Sequence, residues 1–202
     1  MGSKPIIGIA GGIGSGKSLA ARLLAELGCL VIDSDDLNHE ILRRPEVLKT
    51  LAEWWGADVV TSDGQPDRRR IGEIVFAQPS ERSKLESLTH PLIAERRRDI
   101  ISAGLTNPAI KAIILDAPLL FERHLERLCS LTVFIDADES QRLQRVVQTR
   151  GWDPGELARR QQWQMSPAEK RSRCQISIRN DGSPEQLRER LAEMLDAVVG
   201  CE

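Results

Sequence analysis

Short apolar runs recur along the chain at intervals too wide for hairpins and are separated by segments of helical periodicity. Pro5–Ala10, Cys29–Ile32, Ile110–Leu115 and Leu131–Ile135 each read as a strand, and Ile176 with Ile178 alternates as a last short one. The near-continuous apolar character of the first four suits a parallel sheet covered on both faces. A helix is expected from Lys17 to Leu27, with Gly28 as its stop. Another spans Leu37 to Arg43, with Asp36 available as its N-cap. Glu139 to Arg150 is helical and ends at Gly151; Asp153 then caps a helix opening at Pro154, and a further helical turn lies near Pro167–Arg171. Ser183-Pro184-Glu185-Gln186 opens the final helix with a cap residue, a proline at N1 and Gln at N3.

Between Pro45 and Thr106 the pattern changes. Val47–Trp55 reads as helix, Asp63-Gly64 and Pro66-Asp67 as turns, and Arg69–Phe76 as a short helix. Pro79–Ser102 carries Leu85, Leu88, Leu92, Ile93 and Ile100 at helical spacing, with Pro91 expected at a bend or break. No strand pattern occurs there. The expected organisation is therefore an α/β core over residues 1–44 and 107–202, a helical insertion over 45–106, and a lid over 150–172.

Composition narrows the picture. A chain of 202 residues suits one α/β domain with an inserted subdomain. A net charge of −2 and the absence of Tyr argue against nucleic-acid binding by charge or by base stacking. No apolar run reaches membrane-spanning length, and no signal-peptide pattern fits the N-terminus. Cysteines 29, 129, 174 and 201 show no C-x-x-C spacing and suit a reducing compartment. These features point to a cytoplasmic protein; a monomer or weak homo-oligomer is the expected state. Trp54-Trp55 is an unusual pair for a surface.

The chemistry is announced by Gly11-Gly12-Ile13-Gly14-Ser15-Gly16-Lys17-Ser18, which fits G-x-x-x-x-G-K-[ST] directly after the first strand. Such glycines let successive backbone N–H groups face anionic oxygens, as expected here from Gly12 to Leu19. Lys17 reaches the β- and γ-phosphates, and the Ser18 hydroxyl is suited to Mg²⁺. Asp33 and Asp116 each end a strand, where open α/β sheets place their ligands. One carboxylate there serves the metal shell and the other takes the acceptor's proton. Arg145, Arg150 and Arg160 are candidates to close over the transferring phosphate, while Arg142 and Arg159 read as a solvated helix face. Arg68 to Arg70 reads either as solvated charge or as a patch for an anionic acceptor. His39, His90 and His124 do not form a metal-spaced set. The absence of an N-K-x-D segment favours a small-molecule kinase over a switch GTPase, but the residues alone leave the acceptor open.

In order and spacing, these elements closely resemble the dephospho-CoA kinase family over nearly the full length. Val31-Ile32-Asp33-Ser34-Asp35 is similar to its I-D-A-D element, and Asp63-Gly64 with Asp67-Arg68 to its D-G-x-L-D-R stretch, with Pro66 in the leucine position. Phe76, Leu85-Glu86, His90-Pro91, Pro118-Leu119-Leu120-Phe121-Glu122, Arg160 with Gln164-Met165, and Asn180-Asp181-Gly182 follow in order. The resemblance implies a three-layer P-loop kinase fold: a parallel five-stranded sheet, a helical acceptor-binding insertion and a helical lid. It implies transfer of the ATP γ-phosphate to the ribose 3′-hydroxyl of dephospho-CoA, with Mg²⁺. By family role, Asp33 is the general base and contacts the acceptor; Arg68, His90, Leu119, Phe121 and Glu122 border the acceptor. Arg145 and Arg160 contact phosphates, and Asn180 and Gly182 lie near the adenine. Arg179, Trp152 and Trp163 depart from the family's usual residues. Other nucleotide kinases are the nearest rival, predicting a monophosphate acceptor; a nucleotide-dependent regulatory protein predicts no transfer.

Overall fold

The computed structural model describes residues 4–151, 154–162 and 164–200. Trp152, Asp153, Trp163 and Cys201, and with them the Asp153 cap, lie outside the described residues, as does the side chain of Arg150. The chain divides into two compact units, one formed by residues up to Ser34 and from Ala103 onward, the other by Asp35–Ser102.

In the first unit the strands are β1 (Ile6–Gly11), β2 (Leu30–Asp33), β3 (Ile113–Asp116), β4 (Leu131–Asp136) and β5 (Ile176–Arg179). They form one parallel sheet in the order β2-β3-β1-β4-β5. The helices belonging wholly to this unit are α1 (Lys17–Glu26), α6 (Glu139–Arg150), α7 (Pro154–Gln161), α8 (Pro167–Arg173) and α9 (Pro184–Val199). Ile7 and Ile9 turn one face of β1 into a core with Ala20 and Leu24 of α1 and Leu187 and Leu191 of α9. The alternate residue, Gly8, faces the other way: a Cβ there would stand 2.8 Å from Cys129 Sγ and 3.0 Å from Leu120. The central strand is thus packed on both sides, which is why it carries no polar residue. The capping box that opens α9 is present, with Ser183 accepting from Gln186 N and the Gln186 side chain from Ser183 N.

The expected β3 begins later than its apolar run. Ile110 donates to Asn107 O in a turn, and pairing with β1 starts only at Ile113. Helix α2 (Ser34–Leu42) follows β2 at once, so Asp36 lies in its first turn rather than at an N-cap. Both Asp35 and Asp36 remain favourably placed near the positive end of that helix.

The second unit holds most of α2, with α3 (Pro45–Trp55), α4 (Arg68–Ala77) and most of α5 (Pro79–Thr106). Helix α5 runs 28 residues through Pro91 without ending, so of the expected bend or break the break does not occur. A single missing N–H removes one bond of the ladder, while the flanking i→i−4 bonds continue the helix. Trp54 and Trp55 pack edge to face at 6.0 Å; Lys84 stands 4.3 Å over the Trp54 ring, and Trp55 donates to Glu81 at 2.5 Å. The pair is accounted for by these contacts. Asp67 caps α4 by accepting from Arg70 N, and Arg70 pairs with Asp58 at 2.7 Å.

Burial lifts the Cys29 thiol from its ordinary 9.0 to about 11, and burial together with the nearby Glu126 lifts that of Cys129 to about 12. The folded state thus holds these protons after the unfolded chain has released them. Stability is expected to be unaffected by these groups below pH 9.0 and to fall as pH rises from 9.0 toward about 11. Denaturant unfolding at pH 8, 9.5 and 10.5, with Cys29→Ala/Cys129→Ala as reference, checks this. Equal slopes in both proteins would refute it.

Candidate active site

The loop between β1 and α1 holds Gly12 to Gly16, and Lys17 and Ser18 are the first helical residues. Gly14 and Gly16 have φ of 80° and 88°, a backbone region that side-chain-bearing residues avoid. The loop closes through Ser15 N donating to Gly12 O at 3.0 Å. Free N–H groups at the start of α1 and the helix dipole favour an anion at this point. Ser18 is exposed and Leu19 half-buried on the first turn, while the Ser15 hydroxyl is buried without a hydrogen-bond partner.

Beneath the loop is a brace made by residues distant in sequence. Asn180, immediately after β5 and only 3% exposed, donates from Nδ2 to Ser15 O at 2.7 Å. Arg145 of α6 donates to Asn180 O at 2.8 Å and to Ser15 O at 3.4 Å. The Ser15 carbonyl is therefore turned into the protein, away from the loop's N–H groups. A Cβ at Gly16 would collide with Asn180 Nδ2. Gly16→Ala is expected to cost about 1–3 kcal/mol through left-handed backbone strain alone, and to raise KM for ATP by displacing Asn180. Urea unfolding and ATP titration check it; unchanged stability and KM would refute it.

Arg142 corrects the sequence reading. It is not on a solvated face but 9% exposed, with Nη1 buried and unpartnered. A Cβ at Gly12 would approach that nitrogen to 2.7 Å. Arg142 also lines a cavity of about 170 Å³ with Gly12, Asp136 and Arg171. Arg159 does lie exposed, donating to Glu156 at 2.8 Å. Arg160, on the same helix, donates to the other Glu156 oxygen at 2.7 Å. The two arginines hold the Glu156 carboxyl below the ordinary carboxylate range.

Asp33 and Asp116 end β2 and β3 and are register partners across that pair of strands. The Asp116 side chain is almost fully buried and forms an ion pair with Lys17 Nζ. Hence the loop lysine, a strand-end carboxylate and a neighbouring carboxylate lie at the carboxyl edge of the sheet. Leu119, Phe121 and Glu122 follow β3 in a turn; Phe121 is buried in the core, Leu119 and Glu122 half-buried. Gly182 precedes the α9 cap, and a Cβ there would collide with the Gln186 side chain. Arg68 begins α4 and His90 lies within α5, both exposed in the second unit.

Sequence reasoning missed Lys170. It lies on α8 (Pro167–Arg173), a short helix rich in charged residues, yet it is 2% exposed. Nothing in the local pattern reveals this burial.

A phosphate loop on the central strand of a parallel sheet, with its lysine paired to a strand-end aspartate and arginines at its border, defines a P-loop phosphotransferase of the small-kinase class. The family model of dephospho-CoA kinase matches residues 5–186. The chain belongs to the dephospho-CoA kinase family. It is 37% identical over 193 residues to the dephospho-CoA kinase of Carboxydothermus hydrogenoformans, covering 95% of this chain and 93% of that one. The crystal structure of a Thermus thermophilus protein superposes with a TM-score of 0.81 at 33% identity, covering 98% of both chains. The dephospho-CoA kinase of Campylobacter jejuni, at 22% identity, shares the fold with a TM-score of 0.72 over 96% of this chain and 97% of that one.

Proposed function

We propose that the protein transfers the γ-phosphate of ATP to the ribose 3′-hydroxyl of dephospho-CoA, giving coenzyme A and ADP in the cytoplasm. The observation that carries the reading is the register pairing of Asp33 with Asp116, and of Asp116 with the loop lysine, at one edge of the sheet. Phosphoryl transfer requires little covalent chemistry from a protein; it requires a cradle, positive charge around the moving group and a base for the acceptor hydroxyl.

The loop N–H groups and Lys17 take the β- and γ-phosphates. Asp33 accepts the proton of the 3′-hydroxyl as its oxygen closes in line on the γ-phosphorus and ADP leaves. Arg145, held at the Ser15 carbonyl, contributes positive charge at the loop, and Arg160 exchanges Glu156 for phosphate oxygens when the lid closes. Asn180 and Gly182 border the adenine. Arg68, His90, Leu119, Phe121 and Glu122 border the acceptor.

Among the described residues no group of three or more His, Cys, Asp or Glu forms a metal cage. The donors at the loop are a solvent-open hydroxyl, Ser18, and the Asp116 carboxylate. These hard oxygens fit Mg²⁺, which takes few protein ligands and completes its shell with phosphates and water. Bound there, Mg²⁺ neutralises charge on the phosphate oxygens. No helix among the described residues is long and apolar enough to cross a membrane.

The test is ADP release with ATP and Mg²⁺, comparing dephospho-CoA, AMP, UMP and no acceptor. Stimulation by dephospho-CoA alone, with coenzyme A as second product, is expected. Stimulation by a monophosphate alone would assign another nucleotide kinase, and no stimulation by any acceptor would leave a nucleotide-dependent regulator.

A further inference from the structure

Among the described residues of the first unit, the most buried cation lies outside the phosphate loop. Lys170 Nζ donates to the Pro118 carbonyl at 2.8 Å and to Gln164 Oε1 at 3.4 Å, and pairs with Glu122 Oε1 at 3.1 Å. The same Glu122 oxygen accepts from Met165 N at 2.7 Å. Glu122 Oε2 is buried and has no hydrogen-bond partner. One ammonium thus ties both ends of the 118–122 turn to the 164–165 segment, the stretch that follows α7 (Pro154–Gln161) and leads into α8.

Chemistry favours a specific purpose for this arrangement. A lysine loses rotamer entropy and hydration on burial, and an ion pair in the interior often contributes no net stability over apolar packing. What such a pair does provide is geometry, because removal of either partner strands a charge. Here the geometry concerns Glu122, whose carboxylate has one oxygen consumed by Lys170 and Met165 and is thereby held in a single orientation. The turn that carries it begins two residues after Asp116, which pairs with the loop lysine. A shift in this turn is felt at the sheet edge where acceptor and phosphate meet.

We propose that Lys170 is a positioning residue for the acceptor. Acting through Glu122, it holds the 118–122 turn in the shape that receives dephospho-CoA and makes that shape depend on the chain segment returning from α7. This inference rests on the kinase function proposed above. It predicts a split between the two substrates: the ATP cradle is built by Ser15, Arg145 and Asn180, none of which Lys170 contacts through a hydrogen bond.

Three full-length variants test it: Lys170→Met, Glu122→Gln and the two combined. Methionine retains the length and apolar stem of lysine without the charge. In Lys170→Met, KM for dephospho-CoA is expected to rise on the order of tenfold while KM for ATP stays within about twofold. In the double variant, KM for dephospho-CoA is expected to match Glu122→Gln alone, because the lysine acts through that carboxylate. Equal rises in both KM values, or a melting temperature that falls with both unchanged, would overturn the proposal and leave Lys170 a structural pin. If Lys170→Met does not fold, the double variant, which strands no charge, decides the matter. A KM equal to that of Glu122→Gln supports the proposal, and a further rise overturns it. Failure of the kinase reading is distinguished by the unmodified protein, which would then show no dephospho-CoA-stimulated ADP release at all.

Discussion

Asp33→Asn is expected to lose turnover by roughly 10²–10⁴-fold, the range associated with a positioned general base, with KM for ATP nearly unchanged. Asparagine has almost the volume and shape of aspartate and still accepts one hydrogen bond, so β2 and its pairing with β3 should persist. It cannot take a proton from the acceptor hydroxyl. The prediction is specific because Asp33 stands at the end of β2, one strand removed from the loop-bearing β1, in register with Asp116. It is therefore a neighbour of the phosphate site and no part of the cradle. Steady-state kinetics with both substrates, backed by single-turnover measurement of the chemical step, separates the cases. Near-normal turnover would remove Asp33 as base, and a large rise in KM for ATP would reassign it to nucleotide binding.

Lys17→Ala should be the more damaging change, for two separable reasons. The first is catalytic: removing a cation from the transferring phosphates is expected to cost on the order of 10²–10³-fold in transfer, with ATP binding weakened as well. The second is structural. The Asp116 side chain, 3% exposed, loses its ion-pair partner. Removing one member of a buried ion pair costs up to roughly 3–5 kcal/mol, so the melting temperature should fall along with activity. Adding Asp116→Asn to Lys17→Ala removes the buried carboxylate charge and is expected to recover part of the stability and none of the transfer. Recovery of transfer in the double variant would show that Lys17 matters through Asp116 and not through the phosphates. Unchanged constants in the single variant would remove Lys17 from the cradle.

The two predictions differ in what the sequence alone supplied. Lys17 was legible from its motif, because a phosphate cradle is local: eight consecutive residues contain the turn, the donors and the cation. Asp33 and Asp116 were legible as strand ends, since an apolar run closing in Asp at the carboxyl edge of a parallel sheet has few other places to go. Their juxtaposition was not legible. It depends on β2 and β3 being neighbours, which the order β2-β3-β1-β4-β5 decides.

Arg142 and Lys170 were misjudged or missed for one shared reason. Both belong to short polar helices whose local pattern predicts solvation, and local pattern carries no information about what packs against a helix. Arg142 lies against the loop glycines Gly12 and Gly14, and Lys170 against a turn more than forty residues away in sequence. Asn180 shows the intermediate case. Its place just beyond the last strand was readable, but its work in turning the Ser15 carbonyl away from the ligand side emerges only when β5 and the loop are brought together.

By itself, then, the sequence determined the elements, the phosphate loop and the family. Apolar runs, caps and glycine spacing act through neighbouring residues, and the order of family motifs is a property of the chain. Tertiary structure alone decided which carboxylate pairs with the loop lysine, what braces the loop from below and which cation holds the 118–122 turn. Each of those is a contact between residues tens to more than a hundred positions apart. Such contacts are selected by burial and by the need to satisfy every buried polar group, and those demands exist only once the chain has folded.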